Sequence, residues 1–234
     1  MIDAVRQSAR RRLRSLLPGR EDAIQAARPG AITIGHATYL ATGCLVKTWA
    51  PTERIEIGAY TSIAEEVRIL HPGVNETLTD RSGQQRTFRF RGNHRPDTAT
   101  TFPIGILVPD MSFDEAPADG SWESRPLVVG SDVWLGYRAL ISGPVTVGHC
   151  AIVAAGAVVL RDIPPYAIAA GNPAQVIRYR FSPEVIAALL RIAWWTWPPD
   201  RVAAEASWFL EPVATFVDRF DAAGPGEPTV DSAG

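Results

Sequence analysis

The chain has 234 residues, of which 46% are hydrophobic and 21% charged, with a formal net charge of −2. That is enough chain to bury a full core in the composition of an ordinary globular protein, and it excludes a global charge that would draw the molecule to nucleic acid or an anionic membrane. The two cysteines, Cys44 and Cys150, lie far apart inside repeat-like stretches and read as buried thiols, not a disulfide framework.

No hydrophobic run approaches ~20 residues, and the arginine-rich N-terminus has no apolar signal region, so a cytoplasmic location is the expectation. Residues 1–30 read as a basic amphipathic helical segment. Ile2, Val5, Ala9, Leu13, Leu16 and Leu17 recur on one side, with Arg6, Arg10, Arg11, Arg12 and Arg14 on the other. Such a helix flanks its own domain more often than it lies on a membrane, and membrane contact is the less favoured reading.

A sixfold pattern starts at Ile34-Gly35, Leu40 and Val46, breaks around Trp49 to Thr52, and resumes at Ile57-Gly58, Ile63 and Ile69. The break suggests an irregular corner, not a domain boundary. An insertion follows from His71 to Arg125, polar and rich in Pro, Gly and Asp, with a basic-aromatic patch at Arg86, Phe88, Arg89, Phe90 and Arg91. It reads as a long loop thrown out of a rigid coil, and such loops are where chemistry is to be sought.

From Leu127 to Ala174 the period is unbroken. Val129, Leu135, Ile141, Val147, Val153 and Val159 stand six apart, with a second small or branched residue four after each: Val133, Ala139, Val145, Ala151, Ala157 and Ile163. Six is neither a helical nor a simple strand period; it fits a parallel β-helix of three hexads per coil with anchors stacked inward. The fold class is therefore mainly β, with a β-helix domain over 31–180 that carries the insertion at 71–125. Helices are expected over 181–221. One starts at Ser182, Pro183 and Glu184 and runs to about Ala193, and a second runs from about Asp200 to Leu210 after the Trp194, Trp195, Trp197 corner. Residues 222–234 have a disordered composition.

Of the four histidines, His36 and His149 follow a glycine at an outward position of a coil, and His71 reads as a turn residue before Pro72-Gly73. His94 lies on the insertion. A neutral imidazole there is the best candidate for a general base acting on a hydroxyl.

His94-Arg95-Pro96-Asp97, Gly130 to Gly136, Asp162 to Pro165, Ala170 to Ala174 and the Trp194, Trp195, Trp197, Pro198 corner together resemble the xenobiotic acetyltransferases. These are the hexapeptide-repeat enzymes that include the type B chloramphenicol and streptogramin A acetyltransferases. The resemblance covers about 31–210. It implies a left-handed parallel β-helix, a homotrimer with its sites between neighbouring prisms, and acetyl-CoA (or another acyl-CoA) as co-substrate with no metal. His94 would act as base on a small hydroxylated acceptor.

For acetyl-CoA, the resemblance implies Trp134 and Tyr137 beside the pantetheine arm, Ala155 and Leu160-Arg161 along it, and Arg178 near the nucleotide phosphates. On the acceptor side it implies Tyr39 and Asn93. The longer, arginine-rich stretch between Leu70 and Asn93 departs from the family and leaves a sugar hydroxyl on a glycan precursor as the alternative acceptor. A γ-carbonic-anhydrase-like zinc protein is disfavoured: His149 resembles one ligand position, but the next, five residues on, is Ala154. A non-catalytic scaffold would leave His94 without a purpose.

Overall fold

A hexad that points one apolar residue inward and then turns brings the chain back over itself every third hexad, so successive coils pair strand on strand. The computed structural model describes residues 31–48, 53–71, 99 and 125–221 in full, and the backbone of Ile24–Gln25, Asn75–Thr79 and Gln85–Arg89. The chain divides by internal packing into two units, Met1–Arg178 and Tyr179–Gly234.

In the first unit the coil visits three sheets in fixed rotation. One holds β2 (Ile32–Ile34), β5 (Ile55–Ile57), β10 (Leu127–Val129) and β13 (Thr146–Val147). The second holds β3 (Tyr39–Leu40), β6 (Ser62–Ile63), β11 (Trp134–Leu135), β14 (Ile152–Val153) and β16 (Ala167–Gly171), with β17 (Ala174–Tyr179) at its edge. The third holds β1 (Ile24–Gln25), β4 (Leu45–Thr48), β7 (Arg68–His71), β12 (Leu140–Ser142) and β15 (Val158–Val159). From β1 to β16 the strands within these three sheets pair in parallel. The architecture is a parallel β-helix. Its core is the stack of anchors: Val129, Leu135, Ile141, Val147, Val153 and Val159 are each at most 1% exposed, and their partners four residues on are buried with them.

Two of the three edges are built alike on every coil. At the first, Ala37, Tyr60, Asp132, Cys150 and Tyr166 adopt positive φ; at the second, Gly43, Glu66, Arg138 and Gly156 do so. The amide of each such residue from the second coil onward donates to a carbonyl one coil back, as in Tyr60 to His36 (3.0 Å), Cys150 to Ser131 (2.9 Å) and Gly156 to Tyr137 (2.8 Å). The coils meet so closely here that a Cβ at Gly130 would lie 2.7 Å from the amide nitrogen of His149.

The third edge has no such pattern and absorbs all variation in coil length. Trp134 pairs with Ile152 and Leu140 with Val158, eighteen residues on, whereas Tyr39 pairs with Ser62 and Leu45 with Arg68, twenty-three on. The extra residues fall between β4 and β5; the irregular corner anticipated at Trp49 to Thr52 lies outside the described residues. The long insertion leaves from the same edge, between β7 and β10.

Three expectations need correction. Ile24–Gln25, placed in an N-terminal helix, is a strand in register with Val46 and Lys47, where it satisfies the outer backbone groups of β4; the rest of 1–30 lies outside the described residues. The insertion is not wholly loop. Asn75–Thr79 (β8) and Gln85–Arg89 (β9) pair antiparallel, with Asn75 opposite Arg89 and Thr79 opposite Gln85. Threonine and phenylalanine within these runs and Ser82-Gly83 between them are hairpin chemistry. The second C-terminal helix is shorter than expected: α2 (Pro199–Ala204) gives way to a 3-10 turn over Ala206–Leu210.

In the second unit α1 (Pro183–Ile192) starts as anticipated, with the Ser182 hydroxyl accepting from the Val185 amide. A third helix, α3 (Val213–Phe220), was not anticipated. Its spacing Val213, Phe216, Val217, Phe220 carried the signal. Trp194, Trp197, Phe209, Phe216 and Phe220 close on one another, and the Arg201 guanidinium lies 3.8 Å over the Trp197 ring.

The close edge is testable. Gly130→Ala should destabilise by about 1–3 kcal/mol, because the neighbouring backbone must move. Gly156→Asn, at a φ of +68° with open space around it, should cost less than about 1 kcal/mol, since Asn tolerates that conformation. Thermal unfolding of the two variants side by side checks this.

Candidate functional site

Outward positions of the second sheet line up in one row by register: Tyr39, Ser62, Trp134, Ile152 and Ile168. Tyr39 is 43% and Trp134 55% exposed. At two strand spacings, they stand about 10 Å apart along the row. The chain turns immediately after β11, and the turn carries Tyr137, 42% exposed. One coil on, Ala155 occupies the same place: the Gly156 amide beside it donates to the Tyr137 carbonyl, and only a glycine at 136 allows the Ala155 amide to come so near.

The structure places Tyr137 and Ala155 on the second edge one coil apart, with Trp134 on β11, the strand that leads into that edge. Leu160, half-buried, and Arg161, exposed, follow β15 on the third edge; Arg178 is exposed on β17. His94 and Asn93 lie outside the described residues.

Tyr137 is braced. Its hydroxyl donates to Glu66 Oε1 at 3.0 Å, and Arg138 Nε donates to Glu66 Oε2 at 2.7 Å. The Arg138 guanidinium and the Tyr137 hydroxyl hold the Glu66 carboxyl below its usual range, and acceptance by Glu66 raises the tyrosine in turn. Sequence reasoning missed Glu66 and Arg138. They are neighbours only through coil stacking, across the whole insertion.

His71 is also not what the sequence suggested. It is not a turn residue but the last residue of β7, wholly buried, with Nδ1 3.7 Å from Oε1 of the equally buried Glu53 and Nε2 3.1 Å from the carbonyl of Arg125. Burial works against its charge, but Glu53 and the Arg125 carbonyl outweigh that and raise its pKa. The side chain of Arg125 is held separately, on Asp162 at 2.5 Å and Thr146 at 2.9 Å. Burial disfavours the Asp162 charge as well, yet the Thr146 amide and Arg125 together lower its pKa.

His149 accepts the Ser131 amide on Nδ1 at 2.9 Å, which places the proton of a neutral imidazole on Nε2, and burial lowers its pKa. It lines a groove of about 500 Å³ with Val128, Thr146, Asp162, Pro164 and Pro165. His36, by contrast, is exposed, edge-on to the Tyr60 ring at 4.8 Å. Among the described residues no group of three or more His, Cys, Asp or Glu side chains could hold a metal ion, and no helix is long and apolar enough to cross a membrane.

Stacked hexads with an aromatic corner define a hexapeptide-repeat protein. No family profile matches the chain. Curated relatives do. A chloramphenicol acetyltransferase of Morganella morganii is 31% identical over 177 residues, 68% of this chain and 84% of that one. A probable macrolide acetyltransferase of Lysinibacillus sphaericus is 32% identical over 155 residues, 64% of this chain and 73% of that one. A chloramphenicol acetyltransferase of Agrobacterium fabrum is 40% identical over 124 residues, 52% of this chain; the match spans 59% of that relative's length. The chain belongs to the xenobiotic acetyltransferase family of hexapeptide-repeat proteins.

The raised pKa of His71 has a signed consequence. Its stabilisation is present in full below the unfolded value of about 6.5 and is lost as pH rises through the higher folded value. The Tm advantage of wild type over His71→Gln should therefore be largest near pH 6 and shrink in alkali. A gap that widens with rising pH would contradict the assignment.

Proposed function

We propose that the chain is an acetyl-CoA-dependent O-acetyltransferase that acetylates a hydroxyl of a small antibiotic or natural-product acceptor, with His94 as general base. The observation that carries this reading is the exposed aromatic corner in a chain of this family. Trp134 is 55% exposed on a strand whose inward neighbour, Leu135, is wholly buried. Tyr137, on the turn that follows this strand, donates its hydroxyl to Glu66, and Ala155 leaves the matching turn of the next coil without bulk. Large aromatics held rigid and uncovered are surfaces for a ligand or a partner.

In this reading the β-helix is left-handed and assembles as a homotrimer, with each site between prisms. The outward row of Tyr39, Ser62, Trp134, Ile152 and Ile168, apolar but for Ser62, supports such an assembly. Trp134 and Tyr137 flank the pantetheine arm of acetyl-CoA, and Ala155 offers it backbone. Leu160 and Arg161 lie further along, and Arg178 meets the nucleotide phosphates, which a guanidinium fork suits. Tyr39 and Asn93 line the acceptor pocket.

The His94 imidazole takes the acceptor hydroxyl proton as that oxygen attacks the thioester carbonyl. Backbone amides steady the oxyanion, the C–S bond breaks, and the imidazolium returns its proton to the departing thiolate. The products are the acetyl ester and free CoA thiol, with no acyl-enzyme and no use for Cys44 or Cys150, both of which are buried.

Thiol release from acetyl-CoA with chloramphenicol, a macrolide, a streptogramin A and hydroxylated sugars as acceptors tests the reading. One acceptor should turn over, and His94→Ala should lower kcat/KM by ~10²-fold or more. Full activity in His94→Ala would remove the base assignment, and a sugar alone turning over would move the acceptor to the glycan class. Trp134→Ala should raise KM for acetyl-CoA about tenfold. An unchanged KM would place the coenzyme elsewhere.

A further inference from the structure

Glu53, His71 and Arg125 stand where the chain leaves or rejoins the coil at its third edge. Glu53 lies two residues before β5, His71 is the last residue of β7 before the insertion, and Arg125 lies two residues before β10. One imidazole touches all three segments, with Nε2 on the Arg125 carbonyl at 3.1 Å and Nδ1 3.7 Å from Glu53 Oε1. Arg125 is then held twice, by its main chain on His71 and by its side chain on Asp162 and Thr146.

A buried carboxylate–imidazole pair is a costly way to hold a coil together, since well-packed aliphatic residues of similar volume commonly do as well or better. At the next passage of the same edge Gly143 donates its amide to the Leu70 carbonyl at 3.1 Å, Val145 donates to the Gly143 carbonyl at 2.8 Å, and the Val145 side chain is packed into the core. The buried carboxylate–imidazole contact occurs where segments depart.

We propose that His71 is a positioning residue: by holding Glu53 and the Arg125 carbonyl together it fixes the two points of the coil between which segment 72–124, with His94 in its sequence, is inserted. An effect on catalysis rests on the reading of His94 as the base. Nothing in the proposed chemistry requires His71 to touch either substrate. Its effect is on kcat, through the register of the segment.

The test uses the full chain with His71→Gln and Glu53→Gln, both close in size to the native residues. Four readouts are taken: kcat, KM for acetyl-CoA, thermal unfolding, and amide exchange in peptides from 72–124 and from 127–171. Both variants should lose about tenfold or more in kcat while KM for acetyl-CoA stays within about twofold. Exchange should quicken in 72–124 alone.

Unchanged kcat and unchanged exchange in both variants would overturn the proposal. So would faster exchange spread equally through 127–171 with a lowered Tm, which marks a merely structural pair. If His71→Gln does not fold, Glu53→Gln is judged by the same criteria, and failure of both to fold counts against the proposal. If the wild type turns over no acceptor, the acetyltransferase reading is what has failed. Exchange confined to 72–124 would then still support the clasp, and uniform or unchanged exchange would overturn it.

Discussion

The backbone of one coil rests directly on the backbone of the next at two of the three edges, and most of the molecule follows from that contact. A Cβ at Gly58 would come within 2.5 Å of the Ser131 amide, so the first edge admits no side chain at that point in the stack. The next residue but one must then turn with positive φ and give its amide to the coil behind, a conformation that costs an ordinary residue roughly 1–2 kcal/mol. Tyr60, Glu66, Asp132, Arg138, Cys150 and Tyr166 all accept it. With turn and hydrogen bond both fixed, the strands can pair in only one register. That register lines up Tyr39, Ser62, Trp134, Ile152 and Ile168 as one outward row.

The repeat was legible because the constraint acts on every coil. An inward aliphatic every sixth residue, followed by a small one, is the direct imprint of a stacked core and a crowded corner, and Val129 to Val159 show it without a slip. Trp134 and Tyr137 in one hexad and Ala155 in another were named from the family resemblance, and the structure puts Tyr137 and Ala155 at matching places of the second edge one coil apart. What sequence did not disclose are the pairs that only stacking creates. Glu66 and Arg138 meet because each occupies the positive-φ place of the second edge on adjacent coils, yet the whole insertion separates them along the chain. Glu53, His71 and Arg125 are divided in the same way, so a histidine before Pro72-Gly73 looked like a turn. Ile24–Gln25 was hidden differently, because an edge strand of two residues has no periodicity of its own.

The edges also divide the proposed chemistry. Tyr137 and Ala155 belong to the second edge, whose geometry repeats from coil to coil and which suits a co-substrate that does not change. The segment carrying His94 springs from the third edge, where length is free. His71 and Glu53 stand at that junction, a buried polar contact at the boundary between the regular coil and its excursion.

The freedom of the third edge has a bearing on how such a chain can be altered. An excursion there is closed by strands that are already paired, so lengthening it adds only a loop-closure entropy that grows with the logarithm of its length, about 0.6 kcal/mol for each doubling. The pitch of the coil, the anchors and the aromatic corner are untouched. The β-helix thus behaves as a spool with one open seam, through which a segment of almost any size can be exchanged as a cassette while the rest of the winding keeps its count.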